Sequence, residues 1–190
     1  MCIRDSAVAV WSFVLLQSLT VPVLTTIQAE LDTDQQTVTW VLTAYLLSAS
    51  ICTPLLGRVG DVVGKTRMLV LCLVLLSAGS LMAALAPNVA WMIAARVVQG
   101  AGGGVLPLSF GIIRDEFDEK MNSALSVLAS LTAVGFGVGI VVAGPIVDGL
   151  GYHWLFLIPM IATSVAALTA FLVVPDSPVR TPARLSLIHI

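Results

Sequence analysis

The chain has 190 residues, of which 58% are apolar and only 11% charged. An ordinary soluble domain carries about 25% charge, so these residues cannot clothe a water-facing surface, and disorder is excluded by the same excess of apolar side chains. A net charge of −2 gives no basic footing for nucleic acid, and a length spent on spans of about 20 apolar residues leaves no room for a large catalytic domain.

The chain opens on Met1-Cys2-Ile3-Arg4-Asp5-Ser6 and closes on Leu185-Ser186-Leu187-Ile188-His189-Ile190. One back-translation of the closing residues, CTG TCT CTT ATA CAC ATC, has a reverse complement that reads Met-Cys-Ile-Arg-Asp. The two ends are thus readable as the two strands of one DNA element, which resembles a transposon end used in sequencing libraries. Residues 1–6 and 185–190 are therefore expected to be adapter-derived and are set aside from fold reasoning.

Six apolar stretches are predicted to be membrane helices. The first spans about 7–27. The second, 38–56, is entered through Thr33 and Gln36 at capping-box spacing. The third, 68–86, stops at Pro87-Asn88, and the fourth covers 89–113. The fifth covers 122–147 and the sixth 154–174. Residues 175–184 carry Pro175, Pro178 and Pro182 and are expected to begin a cytoplasmic linker. Cys52 and Cys72 lie inside apolar runs without metal-ligand or redox spacing, so neither a metal nor a cofactor is implied.

Basic residues fix the expected orientation. Arg58, Lys65 and Arg67 follow the second helix, Arg114 and Lys120 the fourth, and Arg180 and Arg184 the sixth, whereas the other three loops hold none. The positive-inside bias places the N-terminus and the linker in the cytoplasm. The fourth and fifth helices are rich in glycine, which in lipid permits close helix packing. Gly57-x3-Asp61-x2-Gly64 recurs as Gly144-x3-Asp148-x2-Gly151 with an offset of 87 residues. The copies fall after helices two and five, as an inverted 3+3 repeat requires.

Arg96 is the one charge well inside a span, roughly 10 Å into the fourth helix at 1.5 Å per residue. A charge there is costly and is expected to face a cavity or a partner rather than lipid. Gln99 and Gly100 share its helix face, and Gln17 of the first helix is its expected hydrogen-bond partner. Tyr45 and Thr43 offer further polar surface, or simply pack. No Asp or Glu lies in the middle of any span; Asp61 and Asp148 sit at helix ends. The stretch Gly57–Arg67 reads as a tight, glycine-permitted loop in which Asp61 accepts from backbone N–H groups or holds Arg67.

These motifs resemble the major facilitator superfamily. Gly57, Asp61, Gly64, Lys65 and Arg67 stand in register with its cytoplasmic signature G-x-L-a-D-r-x-G-r-k, with Val62 in place of the usual basic residue. Arg96-Val97-Val98-Gln99-Gly100 resembles the R-x-x-Q-G motif of helix four. Gly135 with Gly144-Pro145 resembles the antiporter motif of helix five, although Asp148 replaces its first closing glycine and Ile140 stands where a glycine is frequent. Tyr152-His153-Trp154-Leu155-Phe156 is similar to the W-R-W-x-F start of helix six. The resemblance points to the drug:proton antiporter branch, including its fourteen-helix members. It implies an all-α membrane fold in which this chain is the N-terminal six-helix half, completed by a C-terminal half. It also implies proton-coupled efflux of small amphipathic molecules by alternating access, from a bacterial cytoplasmic membrane. Arg96, Gln99, Gln17 and Tyr45 would line the substrate or proton pathway. Asp61 and its glycine-rich segment would lock the cytoplasmic gate, and Gly135, Gly144, Pro145 and Asp148 would serve the helix-five motif. Alternatives are a non-transporting sensor or scaffold, and a half that is inactive alone. A membrane enzyme would need a convergent site, and His153 is the sole histidine outside the set-aside ends.

Overall fold

The computed structural model describes residues 3–116 and 121–173. The expected linker with Arg180 and Arg184, the closing residues 185–190, Lys120, Met1 and Cys2 lie outside them. The described residues are helical, with no strand: α1 (Ile3–Thr20), a 3-10 turn at Val21–Val23, α2 (Leu24–Glu30), α3 (Gln35–Val63), α4 (Lys65–Ala84), α5 (Val89–Ala101), α6 (Val105–Glu116), α7 (Met121–Leu150) and α8 (Trp154–Val173). They make six spans long and apolar enough to cross a membrane, with α1 and α2 forming the first and α5 and α6 the fourth.

Local chemistry sets the ends of these helices. Pro22 supplies no N–H, and the first span tightens to 3-10 geometry there. Asp34, rather than Thr33, caps α3: its carboxylate accepts from the N–H groups of Gln36 (2.9 Å) and Thr37 (3.1 Å) and from the Thr37 hydroxyl. A carboxylate reaches both orphan donors at once and offers the stronger acceptor. Those bonds hold the Asp34 carboxyl below its ordinary range. Asn88 caps α5 through the N–H of Trp91 at 2.9 Å.

Two expected boundaries change. The predicted loop Gly57–Arg67 is almost entirely helical. Gly57, Arg58, Gly60 and Asp61 belong to α3, Lys65 and Arg67 to α4, and the chain turns at Gly64 alone. Gly64 manages this at φ 123°, a conformation open to glycine but strained for a residue with a Cβ. The predicted continuous fourth helix, by contrast, breaks at Gly102–Gly104. There the amides of Gly102 and Gly103 bond three residues back, to Gln99 and Gly100, at 3.0 and 2.9 Å. Close packing on both sides explains the break. A Cβ on Gly102 would meet the Cys72 carbonyl at 2.7 Å, and one on Gly103 would meet the Thr53 hydroxyl at 2.9 Å.

The spans form an inverted 3+3 repeat. α3 of the first triplet packs on α5 of the second, and α7 of the second packs on α1 of the first. The third span of each triplet, α4 and α8, pack on one another. Exchanging the triplets leaves this pattern unchanged. Gly151 ends α7 at φ 90°, just as Gly64 ends α3, and these are the two positive-φ glycines among the described residues. Ser77 and Ser164, again 87 residues apart, hydrogen-bond each other at 2.6 Å where α4 meets α8. The repeat thus reaches beyond the Gly–Asp–Gly triplets to the contact at its own symmetry axis.

The core sits around α1, α4 and α5, with Leu16, Leu73, Leu76 and Met92 fully enclosed. Outward faces are apolar as well: Leu46 and Leu47 on α3, Val141 on α7, and Leu168, Phe171 and Leu172 on α8 are all exposed. Water would make such a surface untenable, whereas lipid tails cover it without penalty.

A buried arginine network between the two triplets

Arg96 lies in the middle of α5 and is 1% exposed. Its Nη1 donates to Gln99 Oε1 at 2.7 Å, one helical turn on. Gln99 Nε2 donates to Ser80 Oγ of α4 at 2.9 Å, and Ser80 donates to the Leu76 carbonyl at 2.7 Å. Gly79 makes this approach possible, since a Cβ there would lie 2.6 Å from Gln99 Cγ. On its other sides the guanidinium carbon stands 5.6 Å from the centre of the Tyr45 ring and 5.5 Å from that of Phe156. Cation–π contacts of this kind gain strength when desolvated. Among the described residues, none is a hydrogen-bond partner for Arg96 Nε, although it is buried.

Of the residues the sequence proposed for a pathway, Arg96, Gln99, Tyr45 and Gln17 come together. Gln17 is not the direct partner of Arg96: it lies beside the Tyr45 side chain, whose ring covers the guanidinium. The reason is position, because Gln99 on the same helix face reaches Nη1 first. The arginine is packed inside the bundle. Ser80 and Phe156 are the members that sequence reasoning passed over. Ser80 was signalled only by a hydroxyl in an apolar run. Phe156 stood in the Trp154-Leu155-Phe156 motif without a partner to give it meaning.

The remaining expected residues are elsewhere. Lys65 meets Asp61 at 3.6 Å across the Gly64 turn, and its stem lies against Gly111 of α6, where a Cβ would come within 3.3 Å. Asp61 therefore pairs with Lys65, while its side chain stays half-exposed. This cluster is 16 residues from Tyr45 along α3, roughly 24 Å at 1.5 Å per residue. Gly135 is buried against Val14 and the Trp11 ring of α1, at 3.2 and 3.4 Å from an added Cβ. Gly144, Pro145 and Asp148 are exposed near the far end of α7. The helix-five motif thus divides into a packing glycine and an open terminus. His153 stacks on Tyr152, ring centres 4.0 Å apart, in the α7–α8 turn. Burial pushes the Tyr152 hydroxyl above its ordinary pKa, and the nearby Glu30 carboxylate adds to the effect. No group of His, Cys, Asp and Glu among the described residues has the makings of a metal site. A groove of about 560 Å³ lined by Val74, Ser77, Ala78, Ser164 and Leu168 lies between α4 and α8, and Arg96 takes no part in it.

Comparison with known proteins agrees with this architecture. Residues 6–188 match the Major Facilitator Superfamily. An MFS-type transporter of Aspergillus terreus is 38% identical over 70% of this chain and 24% of its own length. The efflux pump dotC of Dothistroma septosporum is 38% identical over 63% of this chain and 21% of its own. A multidrug resistance protein B homolog of Mycobacterium tuberculosis is 31% identical over 80% and 29%. Among solved structures, the human organic anion transporter MFSD10 superposes with a TM-score of 0.73 at 18% identity, covering 95% of this chain and 49% of that one. The chain spans about a quarter of the length of these curated relatives.

Proposed function

Because the chain belongs to the major facilitator superfamily, we propose that it is the N-terminal half of an efflux transporter, one that moves small amphipathic molecules by alternating access and is coupled to protons. The observation that carries this reading is the Arg96–Gln99–Ser80 network at the depth of the membrane, joined to both triplets of the repeat. Burying a guanidinium costs several kcal/mol even after relaxation, and a purely structural bundle gains nothing by it. Relatives named as an efflux pump and a multidrug resistance protein support the direction and the class of solute.

In this reading α3 links the site to the gate. It carries Tyr45 against Arg96 at one level and Asp61 with Lys65 at another, so a tilt of this one helix changes both together. The spacing of Arg58, Lys65, Arg67 and Arg114 at one end of the bundle supports a cytoplasmic position for that end. A second six-helix half would complete the passage. Asp61 and Asp148 are two helix-end carboxylates that this half offers for proton exchange; a carboxylate in the second half is the other source.

The test is efflux of a fluorescent amphiphile from liposomes holding the full-length transporter, with and without an imposed pH gradient. Arg96→Ala is expected to abolish flux while leaving expression and membrane insertion intact. Undiminished flux in that variant would remove Arg96 from the transport site. Binding without flux in the wild type would favour a sensor instead.

A further inference from the structure

We infer that the solute handled at this site carries an anionic group, a carboxylate or sulfonate, that pairs with Arg96. The inference rests on the transporter reading above and names its substrate class. Every contact that the described residues give the guanidinium is neutral. Gln99 accepts from Nη1, Ser80 stands behind Gln99, and the rings of Tyr45 and Phe156 cover two sides. Beyond Tyr45 lies Gln17, neutral again. The acidic residues of the described helices all lie at helix ends: Asp5 is in the first turn of α1, Glu30 closes α2, Asp61 is in the last turn of α3, Asp115 and Glu116 close α6 and Asp148 is in the last turn of α7.

Two things are therefore left over at Arg96. One is a full positive charge, which amide and hydroxyl dipoles solvate without cancelling. The other is Nε–H, a buried donor with no acceptor among the described residues. Nε is one tine of the fork that a guanidinium presents to a planar anion, so a carboxylate or sulfonate answers both deficits in one contact. A neutral solute answers only the second, and a cation worsens the first. Gln17 is the half-buried member of the group, whereas Tyr45 and Arg96 are enclosed. The Gln17–Tyr45 pair is thus the cover through which a solute reaches the guanidinium.

The experiment uses the full-length transporter in liposomes of phosphatidylcholine alone, so that no anionic lipid competes. Three probes share one naphthalene ring and differ in a single substituent: carboxylate, carboxamide and methylammonium. The carboxylate is expected to half-saturate at a concentration on the order of tenfold below that of the amide, with the methylammonium weakest. Gln17→Glu places a counter-charge beside Tyr45. It is expected to erase or invert that order, whereas a merely structural change would weaken all three probes alike. Preference for methylammonium in the wild type, or an order untouched by Gln17→Glu, would overturn the inference and leave transport standing; the first result would also reveal a carboxylate brought by the second half. Flux of none of the probes, nor of other amphiphiles, would overturn both.

Discussion

Gly100 brings a neighbouring backbone closer than any other described glycine does, and Gly100→Ala measures that seam. A Cβ built there would lie 2.5 Å from the Tyr45 carbonyl oxygen, 2.6 Å from Ser48 Cβ and 3.0 Å from the Ala49 amide nitrogen. Two of those atoms are backbone, so no rotamer change relieves the clash. Ordinary contact begins at 3.4 Å, and α3 and α5 must separate by about 1 Å. Overpacking of this kind costs about 1–3 kcal/mol. The same movement stretches the bond from Ser48 Oγ to the Val97 carbonyl, now 2.7 Å, past hydrogen-bonding range; such a bond in a membrane bundle is worth about 0.6 kcal/mol and at most about 1.7. The sum is about 2–4 kcal/mol, which for a chain of this size lowers the melting temperature by about 5–15 °C. The assay is a detergent thermal melt followed by size exclusion, with Gly137→Ala as the control. No heavy atom lies within 4 Å of a Cβ on Gly137, so that change is expected to be neutral or stabilising by up to about 1 kcal/mol. Melting temperatures for the two variants within 2 °C of one another, on the order of 1 kcal/mol, would refute the packing of α5 on α3 described above.

Two further outcomes are expected. Ser164 already donates to the Met160 carbonyl at 2.7 Å, so Ser77 is the donor in the pair at the repeat axis. Ser77→Ala and Ser164→Ala should each cost about 0.6 kcal/mol and at most about 1.7, and the double variant little more than one of them; additive losses in a double-mutant cycle of thermal melts would show that the hydroxyls act independently. Asp34 has a folded-state pKa below its unfolded value, so its capping contribution is present above the ordinary carboxylate pKa and is lost as pH falls through the lowered one. The difference in melting temperature between the wild type and Asp34→Ala should therefore be larger at pH 7 than in strong acid, and an unchanged difference would count against the cap.

The sequence by itself determined the six spans, because membrane insertion reads hydropathy over about 20 residues and that signal is local. It also determined the repeat, since Gly64 and Gly151 are each required by a backbone conformation that glycine alone adopts readily, and a matched pair of such requirements leaves a mark in the chain. Arg96 was legible for the same reason: a charge inside an apolar run is visible without its neighbours. Only the tertiary structure decided what surrounds it. Ser80 reaches Gln99 through close packing at Gly79, Tyr45 reaches the guanidinium through close packing at Gly100, and Phe156 arrives from α8. Packing also decided that the fourth span breaks at Gly102–Gly104 while the Gly57–Arg67 segment stays helical up to a single turning residue. Glycine in a sequence licenses either a turn or a close approach, and which of the two is used depends on the helix that arrives beside it.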